Sequence, residues 1–282
     1  MMKTFLKLTI TLVAFFLIGA TSARAEVDIP WQLVHQQAME KAVERCREII
    51  GPFSAEAGFP EQLPPALIGK SWAEIRVKVA QACFKCSKIF EELLEKQKFP
   101  VRIRLGAKYF RKRFILGTHI YPQKTESSRV HEFQCRDFAN SCKIGLDEMK
   151  YWVTPEPIWT GDIVWAKNAR EGLTRVKSML PAIPEAAAED ARNIWQNAAR
   201  AAIYAGNEAG MTASKVGGFD FPAWRLKFAV KYFKAATKEA VAGSWYSRET
   251  DPEYWQQACV KLRQSLEPLA AEIDELLESL PK

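Results

Sequence analysis

The sequence predicts a mainly α protein, a multi-helix bundle whose middle segment is cysteine-rich and partly irregular or small-β. Three observations carry this: long stretches of apolar residues three and four apart, proline and glycine punctuation between them, and six cysteines, four of which fall between positions 83 and 142. Nearly half of the 282 residues are hydrophobic, enough to bury a substantial core.

The first 25 residues read as a secretory signal peptide. Lys3 and Lys7 precede an apolar run from Leu8 to Ala20, too short to span a membrane, and Ala23-Arg24-Ala25 supplies an A-x-A cleavage site. The expected mature chain runs from Glu26 to Lys282 and holds no later stretch apolar enough to cross a bilayer. The expected location is therefore secreted or periplasmic, without a lipid anchor, because position 26 is not cysteine. Residues 26–282 divide into an N-terminal helical part (26–100), a disulfide-rich middle (101–158) and a C-terminal helical part (159–282), expected to form one compact domain.

Val34, Ala38, Ala42, Cys46 and Ile49 mark a first helix that Gly51-Pro52 ends. Residues 53–70, with Pro60, Pro64, Pro65 and Gly69, read as a loop. Ser71 and Glu74 form a capping box. Trp72, Ile75, Val79, Ala82, Cys86, Ile89 and Leu93 then predict a long helix up to Pro100. In the middle, VRIRL and FILGTHIY have strand composition, residues 127–149 read as a short helix broken near Gly145, and VTPEP (153–157) as a linker. Helical patterns return over 161–180, 185–209, 222–242 and 252–280.

Cys83 and Cys86 lie in CFKC. Position 87 is serine, which excludes a c-type haem signature. The pair lies about three turns inside its helix, where no unpaired amide lowers a thiol pKa, so a redox role is disfavoured. Export makes disulfides the expected fate of Cys46, Cys83, Cys86, Cys135, Cys142 and Cys259. The expected scheme fastens the middle to the long helix through 83/86 and 135/142, and ties first helix to last through 46 and 259. No metal or other cofactor is expected. HEFQC (131–135) departs from the H-E-x-x-H zinc motif at its last ligand.

Loss of Lys3, Lys7 and Arg24 with the leader lowers the formal charge from +7 to +4. The charge is unevenly spread. Arg102, Arg104, Lys108, Arg111, Lys112 and Arg113 stand with no acid among them, and Lys227, Lys231, Lys234 and Lys238 form a stripe at i, i+4, i+7 and i+11 bordered by aromatics. The stripe is more readily read as a solvated face paired with acids of the last helix, and the other reading of the 102–113 cluster is a basic edge strand. Of the two, the 102–113 cluster is the better candidate for a partner, since it lacks any local acid.

No nucleophile elbow, P-loop or dinucleotide fingerprint occurs. The function expected is an exported binding or adaptor protein of the cell envelope that contacts an anionic component or a protein partner through its basic patches, with nucleic acid disfavoured as the partner. The competing expectation is a small periplasmic hydrolase-like enzyme or metal-binding protein, with His119, His131 and Glu132 as catalytic candidates and Cys135 nearby.

Overall fold

A computed structural model describes residues 32–118, 127–154, 163–217 and 223–281. The expected leader, His119 and residues 155–157 of the expected VTPEP linker lie outside the described residues. Among the described residues there are eight α-helices and no strand: α1 (Leu33–Ile50), α2 (Trp72–Lys96), α3 (Val101–Thr118), α4 (Ser128–Val153), α5 (Val164–Met179), α6 (Ala191–Val216), α7 (Trp224–Ala242) and α8 (Pro252–Glu278). The expected loop between α1 and α2 contains three single 3₁₀ turns.

Helix α2 begins where the capping box places it. Ser71 Oγ accepts from the Glu74 amide at 3.3 Å and the Glu74 carboxylate accepts from the Ser71 amide at 2.9 Å. At the start of α8, Asp251 accepts from the Glu253 amide and Pro252 occupies the first turn, where a missing N–H costs nothing.

Neighbouring helices run in the order α1, α2, α3, α7, α6, α5; α4 braces α1 and α2, and α8 braces α5, α6 and α7. Buried residues from all eight helices join one continuous core. The α3–α7 seam at its centre is aromatic: the Tyr109 and Phe228 rings stack with centroids 5.9 Å apart, and Phe110 lies 5.3 Å from Phe228. On the far side, α6 is lined by Ala198, Ala199, Ala202, Ala205, Gly206 and Ala209, which lets its neighbours approach closely. A Cβ on Gly206 would stand 2.2 Å from Thr237 Oγ1 of α7, and one on Gly172 of α5 would stand 2.0 Å from Thr212 Oγ1 of α6.

The small-β middle is corrected. Residues 101–118 form one α-helix, and α4 runs unbroken through Gly145. Val101, Ile103 and Leu105 alternate as a strand would, yet Ala107, Tyr109, Phe110 and Phe114 are buried as well. A helix enclosed on several sides loses the one-sided apolar period by which helices are recognised. Gly145 is there for packing, since its missing side chain leaves room for Arg113, whose Nε would lie 3.2 Å from a Cβ at that position.

The expected bridge between Cys46 and Cys259 is corrected too. All six cysteines are buried, and no two of their sulfurs stand at bonding distance in the structure. Helix α1 packs on α2 and α4, whereas α8 packs on α3, α5, α6 and α7, so the two helices that a 46–259 bridge would join belong to different sides of the bundle. Cys46 instead meets Cys86, and the Cys259 thiol donates to the Ala191 carbonyl at 3.3 Å.

Candidate functional site: a cationic cleft beside the central seam

Each residue of the 102–113 cluster with a named partner reaches across to another helix. Arg104 pairs with Glu275 and Lys108 with Glu272, both on α8. Arg111 pairs with Glu91 on α2 at 2.7 Å, and Lys112 with Glu239 on α7. Lys108 and Lys112 also stand over the Tyr232 ring. Arg102 is half-buried on the same helix. The basic run of α3 thus works as a girdle of interhelical ion pairs, because a central helix must send its charged ends past the core to neighbouring carboxylates.

Arg113 belongs to a different group. It lines a cavity of about 760 Å³ between α2, α3, α4, α6 and α7, together with Lys231, Lys234 and Lys238. The carboxylates on the wall are Asp137 and Glu148. Glu148 is already engaged: it accepts from the Tyr109 hydroxyl at 2.8 Å and from Lys231, and lies 3.3 Å from Arg113. Arg113 also donates to the Tyr109 hydroxyl at 3.0 Å and to the Ser141 carbonyl at 3.0 Å. Burial, with the neighbouring Glu148 charge, holds the Tyr109 phenol well above its ordinary range, so it stays protonated and donates.

The lysine stripe of α7 divides along its length. Lys227 donates to the Gly217 carbonyl at 2.9 Å and lies 4.6 Å from the Trp224 ring centre. Burial, and then the nearby Lys231, lower its pKa. Lys231 belongs to Glu148. Lys234 and Lys238 are exposed, and among the described residues neither forms an ion pair. The Lys234 stem crosses Gly210 of α6, where a Cβ would come within 2.9 Å of its Cδ. The same two lysines line a second cavity of about 410 Å³ on the other side, walled by Ile203, Val241, Trp245 and Tyr246. They form a ridge between a polar cleft and an aromatic one. Two acids of α8 are used elsewhere: Glu275 holds Arg104, and Asp274 holds Lys177.

His131 and Cys135, four apart on α4, do share a face, but it is a buried one. His131 Nδ1 is in hydrogen-bond contact with the Arg76 guanidinium, itself 1% exposed. Burial pushes the Cys135 thiol up to about 11, against the opposing pull of Arg76, so it is a thiol at neutral pH. Glu132 turns the other way and pairs with Arg136 at 2.9 Å. The structure therefore separates Glu132 from His131. Among the described residues no group of three or more His, Cys, Asp or Glu is placed to hold a metal. No described helix is long and apolar enough to cross a membrane.

Sequence reasoning ranked the 102–113 run above the stripe and did not identify Tyr109, Glu148 or the α6 glycines. Gly206 and Gly210, four apart in GNEAG, were the available signal, since such spacing marks a helix face that admits a close neighbour. Compared with known proteins, the chain matches no family model, no curated protein and no solved structure.

Proposed function

We propose that the chain is an exported helical binding protein, an adaptor of the cell envelope, that engages an anionic envelope component through the Lys234–Lys238 ridge. The observation that carries this is the contrast between paired and unpaired cations. The named bases of α3 are committed to carboxylates of neighbouring helices. Lys234 and Lys238, one turn apart and facing two cavities, have no carboxylate partner among the described residues. A cation held over a concave wall attracts anions more strongly than one on a convex face, because the low-dielectric walls focus its field. Trp245 and Tyr246 offer flat surfaces for an apolar or ring portion of the same ligand.

The test is retention of the exported chain on dextran sulfate and on vesicles containing anionic phospholipid. Lys234→Gln with Lys238→Gln should lower retention about tenfold on the preferred probe, with the effect fading as salt rises. Arg111→Gln with Lys112→Gln should change it much less. A folded double Lys234/Lys238 variant that is retained as well as wild type on both probes would overturn the proposal. His131→Ala should leave retention intact, and its loss would favour the enzyme or metal-binding alternative.

A further inference from the structure

Four of the six thiols meet where α1, α2 and α4 converge. Cys46 on α1 and Cys86 on α2 are reciprocal neighbours: Cys86 Sγ lies 3.8 Å from the Cys46 carbonyl oxygen, and Cys46 Sγ lies 3.9 Å from the Cys86 carbonyl oxygen. When each sulfur reaches the other residue's backbone, the two side chains lie side by side at one point of the helix crossing. A disulfide between two helices needs such a meeting of side chains at one point of their crossing. Both residues are fully buried. Cys83 and Cys142 line the cationic cleft and interact electrostatically, but no such reciprocal contact joins them.

We propose that Cys46 and Cys86 are joined by a disulfide that fastens α1 to α2, formed by exchange with a donor disulfide such as an oxidised thiol–disulfide oxidoreductase or oxidised glutathione. One cysteine thiolate attacks a donor sulfur, breaking the donor S–S bond and releasing the first donor thiol. The second cysteine thiolate then attacks the mixed disulfide, forming the Cys46–Cys86 bond and releasing the second donor thiol. The two protons lost by the cysteines end on the two donor sulfurs, and two electrons pass from the protein to the donor. The contact with Cys46, burial and the neighbouring thiols all hold Cys86 in its protonated form in the folded chain. The exchange therefore belongs to folding, before the crossing closes over the sulfurs.

The experiment refolds the reduced, denatured full-length chain in a glutathione redox buffer, blocks remaining thiols by alkylation, and maps peptides by mass spectrometry without reductant. A linked peptide pair containing Cys46 and Cys86 is expected. The bond closes a span of 40 residues, so reduction of the oxidised protein should lower the melting temperature by about 10 °C. The Cys46→Ala, Cys86→Ala double variant should show no shift with reductant. Full alkylation of Cys46 and Cys86 after oxidative refolding, or a bond from either of them to another cysteine, would overturn the proposal. The wild-type peptide map decides this whether or not the variant folds.

Discussion

Gly106 of α3 faces the indole of Trp152 on α4 so closely that a Cβ at position 106 would stand 2.4 Å from Trp152 Nε1. Trp152 is fully buried, with Phe90 and Phe110 at 5.8 and 5.1 Å between ring centres. One absent methyl thus admits a fully buried tryptophan to the junction of α2, α3 and α4. Gly106→Ala should destabilise by about 1–3 kcal/mol through overpacking, read as a lower urea midpoint at unchanged slope. Gly243→Ala is the control. Its backbone is right-handed helical and nothing lies within 4 Å of the added methyl, so it should be neutral or stabilising by up to about 1 kcal/mol.

Glu148 holds Tyr109, Arg113 and Lys231 on one carboxylate and is itself largely buried. Glu148→Gln should cost about 1–3 kcal/mol, because two cations lose their counter-charge in a half-buried setting. The same change leaves the cleft more positive. It should therefore raise retention on dextran sulfate or anionic vesicles while lowering thermal stability, two readouts that a purely structural role would not separate.

Glu91 accepts hydrogen bonds from Lys88 and from Arg111, and these hold its carboxyl below the ordinary value of 4.5. A depressed carboxylate stabilises the fold above its unfolded pKa, and that contribution is lost as pH falls through the folded value. Melting temperatures of wild type and Glu91→Gln should therefore differ at pH 7 and converge below about pH 4.5. A gap that persists at pH 3 would contradict the assignment. The effect should be small, since the pair is solvent-accessible and screened.

Ser71→Ala removes the hydroxyl that caps α2 and should cost about 1 kcal/mol, with Ser71→Gly costing less. Thermal unfolding followed by circular dichroism measures both.

The thiols outside the Cys46–Cys86 pair should be slow nucleophiles. Burial pushes Cys83 up to about 12 and Cys135 up to about 11. In the folded chain at pH 7.5, iodoacetamide should label them at least 100-fold more slowly than in urea.

What the sequence determined by itself is local. The capping box, the proline and glycine stops, and the apolar periods of α1, α2 and α8 depend on residues within a few turns of one another, and those elements stand where the pattern places them. The packing partners depend on contacts between residues distant in the chain, and only the tertiary structure decided them. Burial on several sides turned a strand-like alternation at Val101, Ile103 and Leu105 into the central helix. The bundle's topology placed Cys46 beside Cys86 and left α1 and α8 on different sides of it. The same topology brought carboxylates from four other helices to the bases of α3 while leaving Lys234 and Lys238 over open clefts. A basic residue reads alike in sequence whether or not a distant carboxylate meets it, because Coulomb attraction depends on separation in space rather than along the chain.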